Sequence, residues 1–322
     1  MRVLVRAPNW LGDVVLSLPA VRDLRRNFPE ARIEVLARRA VAGLYGAVTE
    51  VDAIRESRGL RADARALEGA FDVGVLLTNS FGSALALRLG GVPERWGYAT
   101  DGRGVLLTRR ARVLPEIRGR SQVYYYRAML AGVGLRVTAA PEAGLRAPAE
   151  WLEAADRLLG PGAWIGLSPG AAFGPAKRWP PARFAAAGDR LAERTGAQVA
   201  ILGAPSERPL AEAVASAMRH PARVLAGETS LPELVGVLSR LRVLVTNDSG
   251  PMHVASALGT PVAAVFGPTD PSETAPVGPA RLVSEPVHCA PCGLRACPID
   301  HRCMTRVAAE RVADAAEELL AS

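Results

Sequence analysis

The chain has 322 residues, about twice what one ordinary core organises, and 49% of them are hydrophobic, so two well-buried domains are expected. No apolar stretch reaches the roughly 18 to 20 residues that a membrane span needs, and the N-terminal "MRVLVRAPNW" meets a proline before it can form a signal peptide's apolar region, so a cytoplasmic protein is expected. The net charge of +7 sits in the first half, where residues 1–150 carry 23 arginines against 15 acids while the rest of the chain carries 16 bases against 17 acids; with aromatics at 5% and no basic stripe interleaved with them, single-stranded nucleic acid is disfavoured as a partner.

Short β-branched or leucine-rich runs alternate with longer amphipathic ones, the pattern of βα units around a parallel sheet. In chain order, the first half predicts strands over 2–7, 32–37, 52–57 and 72–77, with helical segments near 13–27, 39–47, 61–69 and 80–90. Periodic patterning then gives way to Pro, Ala and Gly across "TAAPEAGLRAPAEW" (138–151), the expected seam. The second half predicts strands over 164–169, 198–203, 223–227, 242–247 and 261–267, separated by helices near 181–195, 207–219, 231–240 and 251–259. The expected fold class is α/β: two Rossmann-like, doubly wound parallel-sheet domains, residues 1–150 and 151–305, facing a central cleft with ligands at the C-terminal strand ends. A last helix over 306–320 is expected to cross back to the first domain.

Three strand-to-helix connections carry chemistry. In "RAPNWLGDVVLSLPAVRDL" (6–24) a turn of Pro, Asn and Gly leads into a helix expected to begin at Asp13. The helix dipole favours the charged carboxylate there, which suits a proton acceptor and equally a simple N-cap. In "SPGAAFGPAKRW" (168–179) stands Lys177, the only lysine of the chain, in a loop after one strand and before a helix opening at Pro180 and Pro181. A compact ammonium on a flexible stem can follow a moving phosphate where a guanidinium fork cannot; the alternative is a lysine present by chance. In "VTNDSGPMHVASALGTPVAAVFG" (245–267), Asn247 and Asp248 make a turn, Ser249 and Gly250 precede Pro251 at a helix start, and His253 follows one turn inward. Free N–H groups and the dipole make that start fit for phosphate, though Asp248 and Ser249 also suit plain caps and His253 a core or surface histidine.

All four cysteines, Cys289, Cys292, Cys297 and Cys303, fall in "HCAPCGLRACPIDHRCM", with His288 and His301 among them. Clustered thiols suit zinc or an iron–sulfur cluster, but the C-x2-C-x4-C-x5-C spacing is no standard zinc pairing, and disulfides or free thiols in a structural loop remain open. No metal is expected in catalysis. The surplus of arginine in the first half points to an anionic partner such as a phosphorylated substrate, an acidic membrane surface or nucleic acid, or else decorates a solvated face.

Taken in order, "RAPNWLGDVVLSLPA", "RWGYATDGRGVLLT" (95–108), "SPGAAFGPAKRWP", "GETSLPELVGVLSR" (227–240), "TNDSGPMHVASALGTPVAAVFGPTDP" (246–271) and "CAPCGLRACPIDHRCM" resemble the ADP-heptose:lipopolysaccharide heptosyltransferases, above all their heptosyltransferase II branch, over nearly the whole chain. The resemblance implies a GT-B fold and an inverting, metal-independent transfer of heptose from ADP-heptose to the lipopolysaccharide inner core, with no cofactor. It implies that the first domain holds an anionic lipid-linked oligosaccharide, that the second holds the ADP-sugar, and that the protein makes peripheral contact with the cytoplasmic face of the inner membrane without binding nucleic acid. By motif position, Asp13 resembles the general base and Lys177 the donor phosphate ligand. Ser168, Glu207, Asp248, Ser249, Gly250 and His253 would line the donor site, Glu207 resembling the acid that holds the ribose. Arg6, Asn9, Arg95, Arg103, Arg118 and Arg120 are candidate acceptor contacts.

The alternatives are a related GT-B enzyme with another nucleotide sugar or acceptor, a nucleotide-sugar 2-epimerase, which would need an acid/base pair around the sugar ring, and a nucleotide-binding regulator without turnover. A dinucleotide dehydrogenase is disfavoured because "PNWLGD", not G-x-G-x-x-G, follows the first strand.

Overall fold

Strands buried on both faces read as unbroken apolar runs, and the central strands of this protein do so. "VLVR" of the first strand, "VGVL" and "WIGLS" are buried throughout. The computed structural model describes residues 1–141 and 143–321; Glu142, within the expected seam, lies outside the described residues. The chain divides into two compact units, Met1–Arg146 and a second starting at Ala147.

The first unit runs β1 (Arg2–Arg6), α1 (Leu11–Asn27), β2 (Arg32–Arg38), α2 (Arg39–Ala42), β3 (Ala53–Ser57), α3 (Leu60–Leu67), β4 (Val73–Leu76), α4 (Phe81–Leu89), β5 (Glu94–Tyr98), β6 (Arg109–Ala111) and α5 (Gln122–Gly132). Its strands form one six-stranded sheet in the order β3-β2-β1-β4-β5-β6, every pairing parallel. Leu4, Leu36, Phe71, Leu76 and Leu87 belong to a core cluster of this unit. The packing of α1 is fixed by a buried ion pair, in which the Asp23 carboxylate accepts from Arg127 Nε of α5 at 2.8 Å.

The second unit runs α6 (Ala149–Leu159), β7 (Trp164–Ser168), α7 (Pro181–Thr195), β8 (Gln198–Ile201), α8 (Arg208–Ala217), β9 (Ala222–Val224), α9 (Leu231–Arg240), β10 (Leu241–Asn247), α10 (Gly250–Ala257), β11 (Val262–Phe266), α11 (Pro271–Thr274), β12 (Ala280–Ser284), α12 (Arg302–Thr305) and α13 (Ala309–Ala321). Its sheet has the order β12-β11-β10-β7-β8-β9, again all parallel. Both sheets therefore follow one winding: the first strand of each unit lies in the middle, and the fourth returns to its other side. The strand order reverses beside β1 and β4 in one sheet and beside β7 and β10 in the other, and such switch points open a crevice at the strands' carboxyl ends.

The structure corrects the expectation for the C-terminal helix. α13 lies in the second unit and buries Val312, Ala313 and Ala316 in the core formed with Phe184, Val245, Val265 and Met304. Its periodicity gave it one apolar face, and the open face of the second sheet is what that face covers. Strands β5, β6 and β12, absent from the predicted set, extend the two sheets outward. Among the described residues no helix is long and apolar enough to cross a membrane.

Candidate active site

The switch point of the second sheet is held by hydrogen bonds from two connections. Asn247, last residue of β10 and fully buried, accepts from the Trp179 backbone N–H at 3.0 Å. It also donates to the carbonyls of Pro169 at 2.8 Å and Gly170 at 3.3 Å. One side chain thus ties both ends of the 169–179 loop to the end of β10. Between those ends the chain makes one 3-10 turn, Pro175–Lys177, which places Lys177 Nζ 2.6 Å from Asp248 Oδ2, with both side chains buried. The same oxygen accepts from Thr269 Oγ1 at 2.6 Å and Thr274 Oγ1 at 3.4 Å. Asp248 is therefore the counter-ion of Lys177, fixing a positive charge at the C-terminal end of β7.

Beside this pair α10 begins. Ser249 occupies its N-cap position without a side-chain capping bond, and its hydroxyl lies 3.2 Å from Thr246 Oγ1 instead. The first N–H groups of a helix have no intrahelical acceptor, so the start of α10 next to Asp248, the partner of Lys177, is of the kind that can take an anion. His253 is 5% exposed, and its Nδ1 is buried without a hydrogen-bond partner. Burial lowers the His253 pKa to about 4, with Asp248 opposing the shift and Lys177 adding to it, so the imidazole is neutral at physiological pH. Ser168 is buried as the last residue of β7, and its carbonyl accepts from Thr246 Oγ1 at 3.3 Å. Glu207, half-buried after β8, accepts from the Ala204 N–H at 2.9 Å. A Cβ on Gly170 would stand 2.2 Å from its carboxylate, so only glycine lets the β7 loop lie against Glu207. Lys177, Asp248, the α10 start and Glu207 thus share one edge of the second sheet.

At the first sheet's switch point, α1 begins at Leu11, two residues before the expected start, so Asp13 stands in the first turn and Trp10 at the N-cap. Asp13 is half-buried, not the N-cap, and the positive end of the helix favours its charge. Burial, then the charge of Asp13, raises the pKa of the Tyr126 phenol of α5 well above its ordinary value, so a protonated tyrosine neighbours this carboxylate. Arg6 is buried at the end of β1, donating to the carbonyls of Ala7 at 2.9 Å and Leu36 at 3.2 Å and to Asn9 Oδ1 at 3.4 Å; it shapes the turn that leads to Asp13.

Like Arg6, the candidates Arg103 and Arg95 spend their guanidinium groups on the protein itself. Arg103 is fully buried, and its guanidinium is spent on the carbonyls of Tyr98 and Thr78 and on Asn79 Oδ1. Arg95 sits near the N-terminal start of β5, the wrong end of the strand, and donates to the carbonyls of Leu106, Val92 and Pro93. Arg118 and Arg120 are exposed before α5, with Arg120 over the Tyr124 ring at 4.2 Å. Not singled out from the sequence are Trp10, 55% exposed before α1, Phe81, 45% exposed as the first residue of α4, and Arg58 and Arg61, exposed after β3. Nor does the sequence single out Thr269 and Thr274, the two hydroxyls on Asp248, although Thr269 follows the end of β11 closely and Thr274 ends α11. Cys289, Cys292, Cys297 and Cys303 carry free thiols. Among the described residues no three His, Cys, Asp or Glu side chains group as a metal site.

Residues 60–302 match the model of glycosyltransferase family 9, described as heptosyltransferase. The lipopolysaccharide heptosyltransferase 2 of Escherichia coli strain K12 is 33% identical over 312 residues, covering 88% of each chain. The lipooligosaccharide heptosyltransferase 2 of Haemophilus influenzae is 30% identical over 302 residues, 86% of each. The solved structure of the Escherichia coli ADP-heptose lipopolysaccharide heptosyltransferase II superposes with a TM-score of 0.88 at 29% identity, covering 100% of this chain and 99% of that one.

Two outcomes follow from this geometry. Lys177→Met should cost about 3–5 kcal/mol in urea unfolding, because it strands a buried carboxylate; adding Asp248→Asn should recover most of the loss, and equal stability of the single and double variants would contradict the pairing. For His253 the unfolded chain takes a proton near pH 6.5 that the folded one refuses until about pH 4. Its contribution is thus present above 6.5 and is lost as pH falls through that window, by up to about 1.4 kcal/mol per pH unit. His253→Gln should flatten that part of the stability profile, and unaltered pH dependence would show that the imidazole is not held neutral.

Proposed function

Because the chain belongs to glycosyltransferase family 9, the heptosyltransferases, we propose that it transfers a heptose from ADP-heptose to the inner core of lipopolysaccharide in the manner of a heptosyltransferase II. The observation that carries this reading is the buried Lys177 ammonium, fixed 2.6 Å from Asp248 beside the uncapped start of α10. A nucleoside diphosphate leaves with growing negative charge, and a preorganised cation with oriented N–H groups stabilises that charge more in the transition state than in the ground state.

The donor's diphosphate lies at the start of α10, with one oxygen on Lys177 Nζ and another within reach of the Gly250 N–H. The neutral His253 satisfies its unpartnered Nδ1 on the same ligand. Glu207, pressed against Gly170, accepts from the ribose hydroxyls. In this arrangement Lys177 and the helix start supply the charge that a divalent cation supplies elsewhere, so neither metal nor cofactor takes part.

Asp13 is the general base. Its carboxylate accepts the proton of an acceptor hydroxyl as that oxygen attacks the anomeric carbon from the face opposite ADP. The new C–O bond forms, the bond to the diphosphate breaks, and the single displacement inverts the anomeric configuration. The first unit takes the acceptor, an anionic lipid-linked oligosaccharide. Exposed Arg118 and Arg120, together with Arg58 and Arg61, face its anionic groups, while Trp10 and Phe81 offer ring surfaces to sugars. A lipid-linked acceptor also brings the protein to the cytoplasmic face of the inner membrane.

Asp13→Asn should lower transfer from ADP-heptose roughly 10²- to 10⁴-fold, the usual range for a positioned acid or base, while ADP binding measured by calorimetry stays unchanged. A parallel loss of ADP affinity would make Asp13 a structural residue and remove it from the chemistry.

A further inference from the structure

The cysteine-rich segment, residues 285–303, has no part in the proposed chemistry, yet it grips the residue before Lys177 by both of its backbone polar groups. The Ala176 N–H donates to the Arg295 carbonyl at 3.0 Å, and the Ala176 carbonyl accepts from His301 Nε2 at 2.6 Å. A carbonyl only accepts, so Nε2 carries the proton of this bond. The approach is close enough that a Cβ on Gly174 would stand 2.3 Å from the Arg295 carbonyl oxygen. The Arg295 guanidinium and the Lys177 ammonium both lie over the Phe173 ring, at 5.3 Å and 4.9 Å.

The grip is anchored on its other side. His301 takes a left-handed conformation, φ 57°, and its N–H donates to Cys297 Sγ at 3.3 Å. It directly precedes α12, which buries Cys303 and Met304 in the core of the second unit. The Gly293 N–H donates to the Pro268 carbonyl at 2.7 Å, next to Thr269, so the same segment also touches the connection that serves Asp248. A single 3-10 turn such as Pro175–Lys177 closes few internal hydrogen bonds and takes its shape from outside contacts. For this turn, the outside contacts at Ala176 come from the cysteine-rich segment.

We propose that His301 is a positioning residue for Lys177. Through the Ala176 carbonyl it sets the turn that holds the ammonium where the donor's diphosphate binds, and the cysteine-rich segment is the frame that holds His301. This rests on the reading of Lys177 as the diphosphate ligand, and the variants separate the two claims. His301→Gln keeps an amide N–H near the position of Nε2, whereas His301→Leu removes the donor.

ADP affinity by calorimetry and transfer from ADP-heptose are measured on the wild type, His301→Leu, His301→Gln, Lys177→Ala and the double variant His301→Leu/Lys177→Ala, with melting midpoints alongside. His301→Leu should weaken ADP binding about three- to tenfold, the worth of one neutral hydrogen bond, and raise KM for ADP-heptose. His301→Gln should restore most of that, and His301→Leu should add nothing to Lys177→Ala. If Lys177→Ala weakens ADP but His301→Leu does not, or if the two losses add, the positioning role is overturned and the Lys177 reading stands. Failure of His301→Gln to recover binding also overturns the role. Unchanged ADP affinity in Lys177→Ala overturns both.

Discussion

One buried ion pair organises the second unit's functional edge. Lys177 and Asp248 come from connections that follow neighbouring strands, β7 and β10, and meet at 2.6 Å where the strand order of the sheet reverses. Burying two charges costs several kcal/mol per ion, and the attraction between them repays this only with good geometry and satisfied neighbours. Here the neighbours are supplied: Thr269 and Thr274 add hydroxyl donors to the aspartate, and Asn247 ties down the loop that carries the lysine. The pair's value is positional. It holds an ammonium in place, next to a helix start with unused N–H groups, before any ligand arrives.

The two sheets share one winding, so each unit has one switch point of the same kind, yet the two are furnished differently. The second presents a cation and helix N–H groups, suited to a diphosphate. The first presents a carboxylate in the first turn of α1, with Trp10 and Phe81 exposed after β1 and β4.

Most of the architecture was legible because buried parallel strands leave a strong trace. β4 and β11 are continuous apolar runs, β7 is one up to its last serine, β1 and β10 each hold a buried Val-Leu-Val, and strand-to-helix connections carry the Pro, Gly and Asp that end one element and start the next. β5, β6 and β12 were not legible: "ERWGY", "RRA" and "ARLVS" are short, bear arginine and are partly exposed, so no apolar run marks them. The C-terminal helix shows why periodicity has limits, since it defines a face but not the sheet that face covers. Within the site, Lys177, Asp248 and His253 could be read from their places after strands or at a helix start. Arg95 and Arg103 could not be assigned, because charge composition does not reveal which guanidinium ends among backbone carbonyls. From sequence the cysteines left metal, disulfides and free thiols open; in this structure they carry free thiols, and their segment also makes a pair of hydrogen bonds to Ala176, which only the fold brings within reach.

In the proposed reaction the Lys177–Asp248 corner holds the donor's diphosphate. The most direct test compares ADP with AMP by calorimetry, in the wild type and in Lys177→Met, under conditions where both proteins are folded. The wild type should bind ADP roughly ten- to a hundredfold more tightly than AMP, the range of a hydrogen bond to a charged group, and this preference should collapse when the ammonium is removed. A variant that still prefers ADP by the wild-type margin would contradict it and place the diphosphate elsewhere.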